Sequence, residues 1–172
     1  PSALSAAAEQ QQRANAEAAA ASAAELQRTD AITIVTCGTG MPIPSDRVQA
    51  CTAVFVNGLF LLFDAGDGAQ RSMERSLLPI TEIDALFLTH FHSDHIDGLG
   101  ELALLRWTGA AHTDPLPIHG PTGVEAVVAG FSEAYRQDAT YRVAHHGEKT
   151  VPPSGAGARA IPFALPAPGE AP

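Results

Sequence analysis

The sequence predicts an α/β domain, and the pattern of the chain carries that prediction. Short β-branched and apolar runs (Ala31–Thr36, Thr52–Val56, Leu59–Asp64, Ala85–Thr89, Leu116–His119) alternate with stretches of helical spacing. Two of the runs meet at Asn57-Gly58, a dipeptide suited to a type I′ hairpin because both central residues need positive φ. The composition agrees: 172 residues, 45% hydrophobic, with 15 glycines and 13 prolines, is enough for one domain with its own core. It excludes a collagen-like or wholly disordered chain.

Taken in order, the first element is a compositional island. Twelve of the 22 residues from Ala3 to Ala24 are alanine, set among Gln, Glu and Arg, which favours a helix. Only Leu4 and Leu26 offer it substantial side chains to bury, so residues 1–30 read as a solvated helical leader. Ala31–Thr36 is a strand that breaks at Cys37-Gly-Thr-Gly40 and passes into a loop through Pro42 and Pro44. The hairpin follows, ending in Asp64-Ala-Gly-Asp-Gly68, then a short helix to about Leu77, stopped by Pro79. Ala85–Thr89 is a buried-type strand that leads directly into His90.

Beyond it, Gly98–Thr108 is a helix with Leu99, Leu102, Leu105 and Trp107 inward. Leu116–His119 is a short strand, and Val124–Arg136 is the clearest amphipathic helix, with Val124, Val127, Val128, Phe131 and Tyr135 on one face. Tyr141–His145 has strand character. Six of the 13 prolines fall in the last 21 residues, so 151–172 is expected to be irregular. Residues 31–150 form the folded domain on this reading.

Charge narrows the partners. Ten Lys+Arg against 19 Asp+Glu leave a net charge of -9, opposite to what phosphate neutralisation needs, so RNA would be held only through a local patch or metal ions. No apolar run approaches the ~18 residues needed to span a bilayer. The chain opens Pro-Ser-Ala without a basic stretch and apolar segment of secretory type; an exported and a cytoplasmic location both stay open.

The chemistry lies in Thr89-His90-Phe91-His92-Ser93-Asp94-His95. Imidazole nitrogen and carboxylate oxygen are the ligands of an open, catalytic zinc. His90 and His92 are two apart and point the same way in an extended segment, while Asp94 and His95 follow in the turn. Four donors within six residues are costly to place together unless a cation organises them. The bland alternative is a polar surface cluster.

His-x-His-x-Asp-His is the signature of the metallo-β-lactamase superfamily, and the surroundings resemble its ribonuclease Z and arylsulfatase-like branch. Gly38-Thr39-Gly40 with Pro42 and Arg47 is similar to that branch's first loop, and Leu61-Leu-Phe-Asp64-Ala-Gly66-Asp-Gly68-Ala-Gln70 to its second motif. His95-Ile-Asp-Gly98-Leu99 and Leu116-Pro-Ile-His-Gly120-Pro121 match further segments, so the resemblance covers about residues 31–125.

The resemblance implies an αββα sandwich of which this chain carries the N-terminal half. It implies a binuclear site of two zinc ions, His90 and His92 on one and Asp94 and His95 on the other. Asp94 would also transfer protons as the catalytic acid or base, and Asp64 would orient a ligand His from behind, its alternative being a turn or N-cap residue. The third His, a bridging Asp and the last His of the family's site are expected beyond this chain. His145 and His146 are substitutes or a surface pair, and His112 and His119 are weaker candidates. Cys37 and Cys51 end one strand and begin the next, which the family pairs; they form a disulfide if the protein is exported, or two buried thiols.

The implied activity is that of a zinc-dependent phosphodiesterase of ribonuclease Z type, a tRNA 3′-end endonuclease in the best-known case, acting as a homodimer. The alternatives are an arylsulfatase- or lactonase-like hydrolase of small esters, and a non-catalytic fragment or binding module. Asp67, Asp84, Asp97 and Glu101 make the surroundings acidic, which suits cations and disfavours bare phosphate.

Overall fold

The computed structural model describes residues 30–43 and 46–166 without a break, together with position 169 and, in the leading segment, positions 10, 11, 14, 17, 21, 24–26 and 28. Those leading positions from 10 to 26 are helical and exposed, except that Leu26 packs against the core. Leu4 and Pro44 lie outside the described residues.

Six strands form one mixed sheet in chain order. β1 (Ile32–Gly38), β2 (Cys51–Val56) and β3 (Leu59–Phe63) are antiparallel, and the Asn57-Gly58 turn has φ of 51° and 78°, as a type I′ hairpin requires. β4 (Ala85–Phe87), β5 (Leu116–Pro121) and β6 (Ala158–Phe163) continue the sheet in parallel. Parallel neighbours need crossovers, and helices supply them. Between β3 and β4 lie α1 (Ala69–Arg75) and a 3₁₀ turn at Ile80–Glu82; between β4 and β5 lie α2 (Ser93–Ile96) and α3 (Leu99–Ala110). α4 (Val124–His146) joins β5 to β6.

The helices share a core with one face of the sheet. Phe55, Phe60, Leu62, Leu86 and Ile118 from the strands cluster with Met73, Leu99, Leu102, Val124 and Val128 from the helices, all buried. The register places Phe55 opposite Phe60 and Leu62 beside Leu86, and the two Phe rings stack with centroids 4.4 Å apart. Arg106 of α3 is buried with them, its Nε–H donating to the Ile83 carbonyl at 2.7 Å and its Nη1 to the Asp114 carbonyl at 3.1 Å. Burial holds its pKa below the usual arginine value, with Asp84 and Asp114 opposing that shift.

The opposite face is apolar and open. Ile32 and Ile34 of β1 are 68% and 65% exposed, and Leu59 and Phe163 are also exposed. Phe63, Phe87 and His119 stack across β3, β4 and β5 on this side, with successive ring centroids 5.1 and 4.7 Å apart. Side chains alternate between faces along a strand, so the pattern that fills the core also loads this second face.

Several expectations are corrected. β1 runs on to Gly38, with a bulge between Thr36 and Gly38, instead of breaking at Cys37. α1 ends at Arg75, before Leu77, whose φ is 54°. β4 stops at Phe87, two residues before Thr89. Tyr141–His145 is the last turn and more of α4, not a strand: no Gly or Pro interrupts the chain after Arg136, and Arg142 pairs with Asp138 one turn back at 2.6 Å. The segment expected to be irregular contains β6, and Pro162 is tolerated there because β6 is an edge strand.

Candidate metal centre

The carboxyl ends of the parallel strands β3 and β4 define the site, where open sheets characteristically place their ligands. Asp64 follows β3 with φ 59°, and its N–H donates to the Phe87 carbonyl at 2.9 Å. That bond ties the ends of the two strands together and brings Asp64 beneath Thr89. Asp64 is 7% exposed.

Three donors converge on the Asp64 carboxylate. The Thr89 N–H donates to Oδ1 at 2.9 Å, the Thr89 hydroxyl lies 2.9 Å from Oδ2, and His95 Nδ1 lies 2.8 Å from Oδ2. An ionised carboxylate only accepts, so the single hydroxyl proton of Thr89 is given to Asp64. Thr89 Oγ1 is then free to accept from His90 Nδ1, 3.0 Å away. The tautomers follow from this chain. His90 and His95 each place a proton on Nδ1, and in the neutral ring that leaves Nε2 as the nitrogen with the lone pair.

Those nitrogens face other potential metal ligands. His90 Nε2 is 3.0 Å from His92 Nδ1, and His95 Nε2 is 3.5 Å from Asp94 Oδ2. The His90 and His95 ring centroids are 4.0 Å apart, so the two pairs adjoin. Asp94 is 7% exposed and its Oδ1 is buried without a hydrogen-bond partner. An imidazole lone pair opposed to a carboxylate oxygen, beside a second orphaned carboxylate oxygen, is an arrangement that a cation relieves. The donor set of nitrogen and oxygen suits zinc and its neighbours. Among the described residues no group of three or more His, Cys, Asp or Glu side chains is arranged to hold a metal ion; the donors come as two pairs.

The main chain holds these residues in place. Asp94 and His95 sit in the single turn of α2, and the Ala65 N–H donates to the His95 carbonyl at 2.8 Å while the Ala50 N–H donates to the Asp94 carbonyl at 3.2 Å. Gly66 N–H in turn donates to the Ala50 carbonyl at 2.9 Å. A Cβ on Gly66 would collide with the Asp94 carbonyl oxygen and with Gln49 Cβ, so this close approach of three segments requires glycine.

The structure thus brings together His90, His92, Asp94, His95 and Asp64. It does not bring the other histidines into the cluster. His145 and His146 end α4 and pack edge to face on one another, His112 Nε2 lies 2.7 Å from the Thr81 carbonyl, and His119 stacks on Phe87. Of the acidic neighbours, Asp84 accepts the Phe60 N–H at 2.8 Å and Asp67 lies 3.6 Å from Arg71. Sequence reasoning gave Thr89 no role; its one signal was a hydroxyl residue between a strand and the first histidine. The parts of Ala50 and Gly66 lie in backbone contacts that no residue pattern announces.

A family model described as anti-Pycsar protein Apyc1 matches residues 32–119. The ribonuclease Z of Mycolicibacterium paratuberculosis (strain ATCC BAA-968 / K-10) is 38% identical over 126 residues, 72% of this chain and 45% of that protein. The ribonuclease Z of Mycolicibacterium gilvum (strain PYR-GCK) is 40% identical over 125 residues, 71% of this chain and 44% of that one. The chain therefore spans about half the length of the curated relatives it matches. Among solved structures, human tRNase Z, short form, is similar with a TM-score of 0.55 and 25% identity, covering 78% of this chain and 47% of that one. The metallo-β-lactamase fold protein YhfI from Bacillus subtilis shares the fold, with a TM-score of 0.52 and 23% identity over 77% of this chain and 45% of that one.

Proposed function

The chain belongs to the family described as anti-Pycsar protein Apyc1, in the ribonuclease Z-like branch of the metallo-β-lactamase superfamily, and from that premise we propose that it carries the first four ligands of a two-metal phosphodiesterase. His90 Nε2 and His92 Nδ1 would hold one zinc ion, and His95 Nε2 with Asp94 the other. The observation that carries this reading is the pair of opposed donor sets with the unpartnered Asp94 Oδ1 beside them. The chemistry such a pair of divalent cations would supply there is Lewis-acid charge and a water that is nucleophilic near neutral pH.

The chain's own residues do the rest. Asp64 accepts a hydrogen bond from His95 Nδ1–H directly and reaches His90 through Thr89, so one carboxylate would set the tautomers of two ligands, one in each pair. Asp94 would also accept a proton from the attacking water, and its Oδ1 has no hydrogen-bond donor of its own. Leu88 N–H donates to the His119 carbonyl at 2.8 Å and anchors the segment that leads to His90.

The net charge of -9 favours a small diester over a long polyanion, unless bound metal reverses the local field. It keeps hydrolysis of aryl sulfates or lactones as the second reading. No helix among the described residues is long and apolar enough to cross a membrane, and the disulfide joining Cys37 to Cys51 supports an oxidising compartment. The test is hydrolysis of bis(p-nitrophenyl) phosphate by zinc-loaded protein, beside p-nitrophenyl sulfate and a simple lactone. Turnover of the diester alone supports the reading. Turnover confined to the sulfate or lactone moves the assignment to small esters.

A further inference from the structure

We propose that the Cys37–Cys51 disulfide is a positioning element for the metal-ligand turn, so that thiol–disulfide exchange at this bond sets the affinity of the His90, His92, Asp94 and His95 cluster for divalent cations. The inference rests on the metal-centre reading above.

The connection runs through three consecutive residues. Cys51, at the start of β2, is followed back along the chain by Ala50, whose N–H holds the Asp94 carbonyl, and by Gln49, whose Oε1 accepts the Asp67 N–H at 2.9 Å. Ala50 also accepts the Gly66 N–H, so this short segment is wedged between the loop after β3 and the turn of α2. Its position depends on how the 39–50 loop is closed. On the far side, the Val48 carbonyl accepts both Thr39 N–H at 2.9 Å and Gly40 N–H at 2.7 Å. The covalent link to Cys37 completes that closure.

β1 is an edge strand and is bulged at this point: Thr36 pairs with Thr52 and Gly38 with Cys51, leaving Cys37 outside the ladder. A bulge interrupts pairing, so the disulfide supplies the connection that the ladder lacks there. Releasing it lets the loop end shift, and a shift at Ala50 is passed to Asp94 because the Gly66 contact leaves no slack.

Both cysteines are buried, Cys37 4% and Cys51 1% exposed, so exchange follows a local opening of the bulged edge. Cys37 borders an open cleft of about 200 Å³ lined by Thr36, Gly38, Thr39, Arg47, Val48 and Ser72, which is the side from which a small dithiol then approaches. A small dithiol attacks one sulfur as thiolate, forms a mixed disulfide and expels the other cysteine as thiolate. Its second thiol then closes its own disulfide and frees the first cysteine. The protein gains two electrons and two protons, and the dithiol loses them. In oxidising surroundings the cluster is therefore held ready for metal, and in reducing surroundings it is loosened.

The experiment titrates the oxidised 172-residue chain and the Cys37→Ser/Cys51→Ser variant with zinc calorimetrically; serine avoids thiols that would themselves bind zinc. Amide hydrogen exchange of Ala50 and Gly66 is measured in parallel, without metal, on oxidised wild type and on wild type reduced by a dithiol. The expected result is zinc affinity lowered about tenfold or more, the scale of losing an outer support of a metal ligand, with faster exchange at Ala50 and Gly66 on reduction. Equal affinities, or unchanged exchange if the variant fails to fold, overturn the inference and leave the metal centre standing. Absence of zinc binding in the oxidised chain overturns both.

Discussion

Asp64 Oδ2 lies 2.8 Å from His95 Nδ1, and the same carboxylate accepts the Thr89 hydroxyl's hydrogen bond, which leaves Thr89 Oγ1 open to accept from His90 Nδ1. One buried carboxylate therefore orients two of the three histidines in the cluster. This relationship gives the site a preferred protonation pattern before any cation arrives, and it makes the outer residues testable apart from the ligands.

Asp64→Asn keeps the shape of the side chain and removes its charge. The amide presents an oxygen and an NH₂ where two acceptor oxygens stood, so His95 and Thr89 cannot both be satisfied. Zinc affinity should fall about 10- to 100-fold with the fold retained, measured by calorimetry beside far-UV circular dichroism. Wild-type affinity in the variant would contradict this orienting role.

Thr89→Val removes the hydroxyl that joins Asp64 to His90 with little change of volume. The His90 ring should then lose its preference for a proton on Nδ1, read from its ¹⁵N chemical shifts, while His95 keeps its own. Thr89→Ser should restore the wild-type spectrum, because only the hydroxyl is required. A His90 tautomer unaffected by valine would remove Thr89 from the account.

The open face of the sheet makes a prediction about association. Ile32, Ile34, Leu61, Phe63 and Phe87 share that side, and an apolar surface of this extent drives contact with another apolar surface. A preparation limited to these 172 residues should elute from size-exclusion chromatography as concentration-dependent oligomers, and Phe63→Lys with Phe87→Lys should reduce them. A monodisperse monomer at every concentration would show that the face is compatible with water.

The disulfide also bears on stability. It closes a loop of about 15 residues, which in the chain-entropy account contributes about 3 kcal/mol. Reduction should lower the midpoint of thermal unfolding by several degrees, and an unchanged midpoint would mean that the 39–50 loop is equally constrained without it.

Much of this architecture was legible in the residues. Asn57-Gly58 fixed the hairpin, because few dipeptides accept two positive φ values, and the apolar runs beside it placed β2 and β3 within a residue. The spacing of His90, His92, Asp94 and His95 marked a candidate site because polar donors are seldom crowded behind a buried strand without a use. What was not legible depended on partners distant in sequence. Tyr141–His145 looks like a strand by its own residues, yet it extends a helix already under way after Arg136. β6 was hidden by the prolines around it and by Pro162 within it, because only its place at the sheet edge makes Pro162 acceptable. Thr89 gained its meaning from Asp64, 25 residues earlier, and Gly66 from a carbonyl on α2.

The central claim is that His90, His92, Asp94 and His95 form one cation-binding cluster, and a zinc titration of the oxidised chain followed through its histidine ring resonances tests it most directly. The account predicts that His90, His92 and His95 respond together, at Nε2, Nδ1 and Nε2 respectively, while His112, His119, His145 and His146 stay unchanged. A titration that moves only His145 and His146, or moves no histidine, would contradict it.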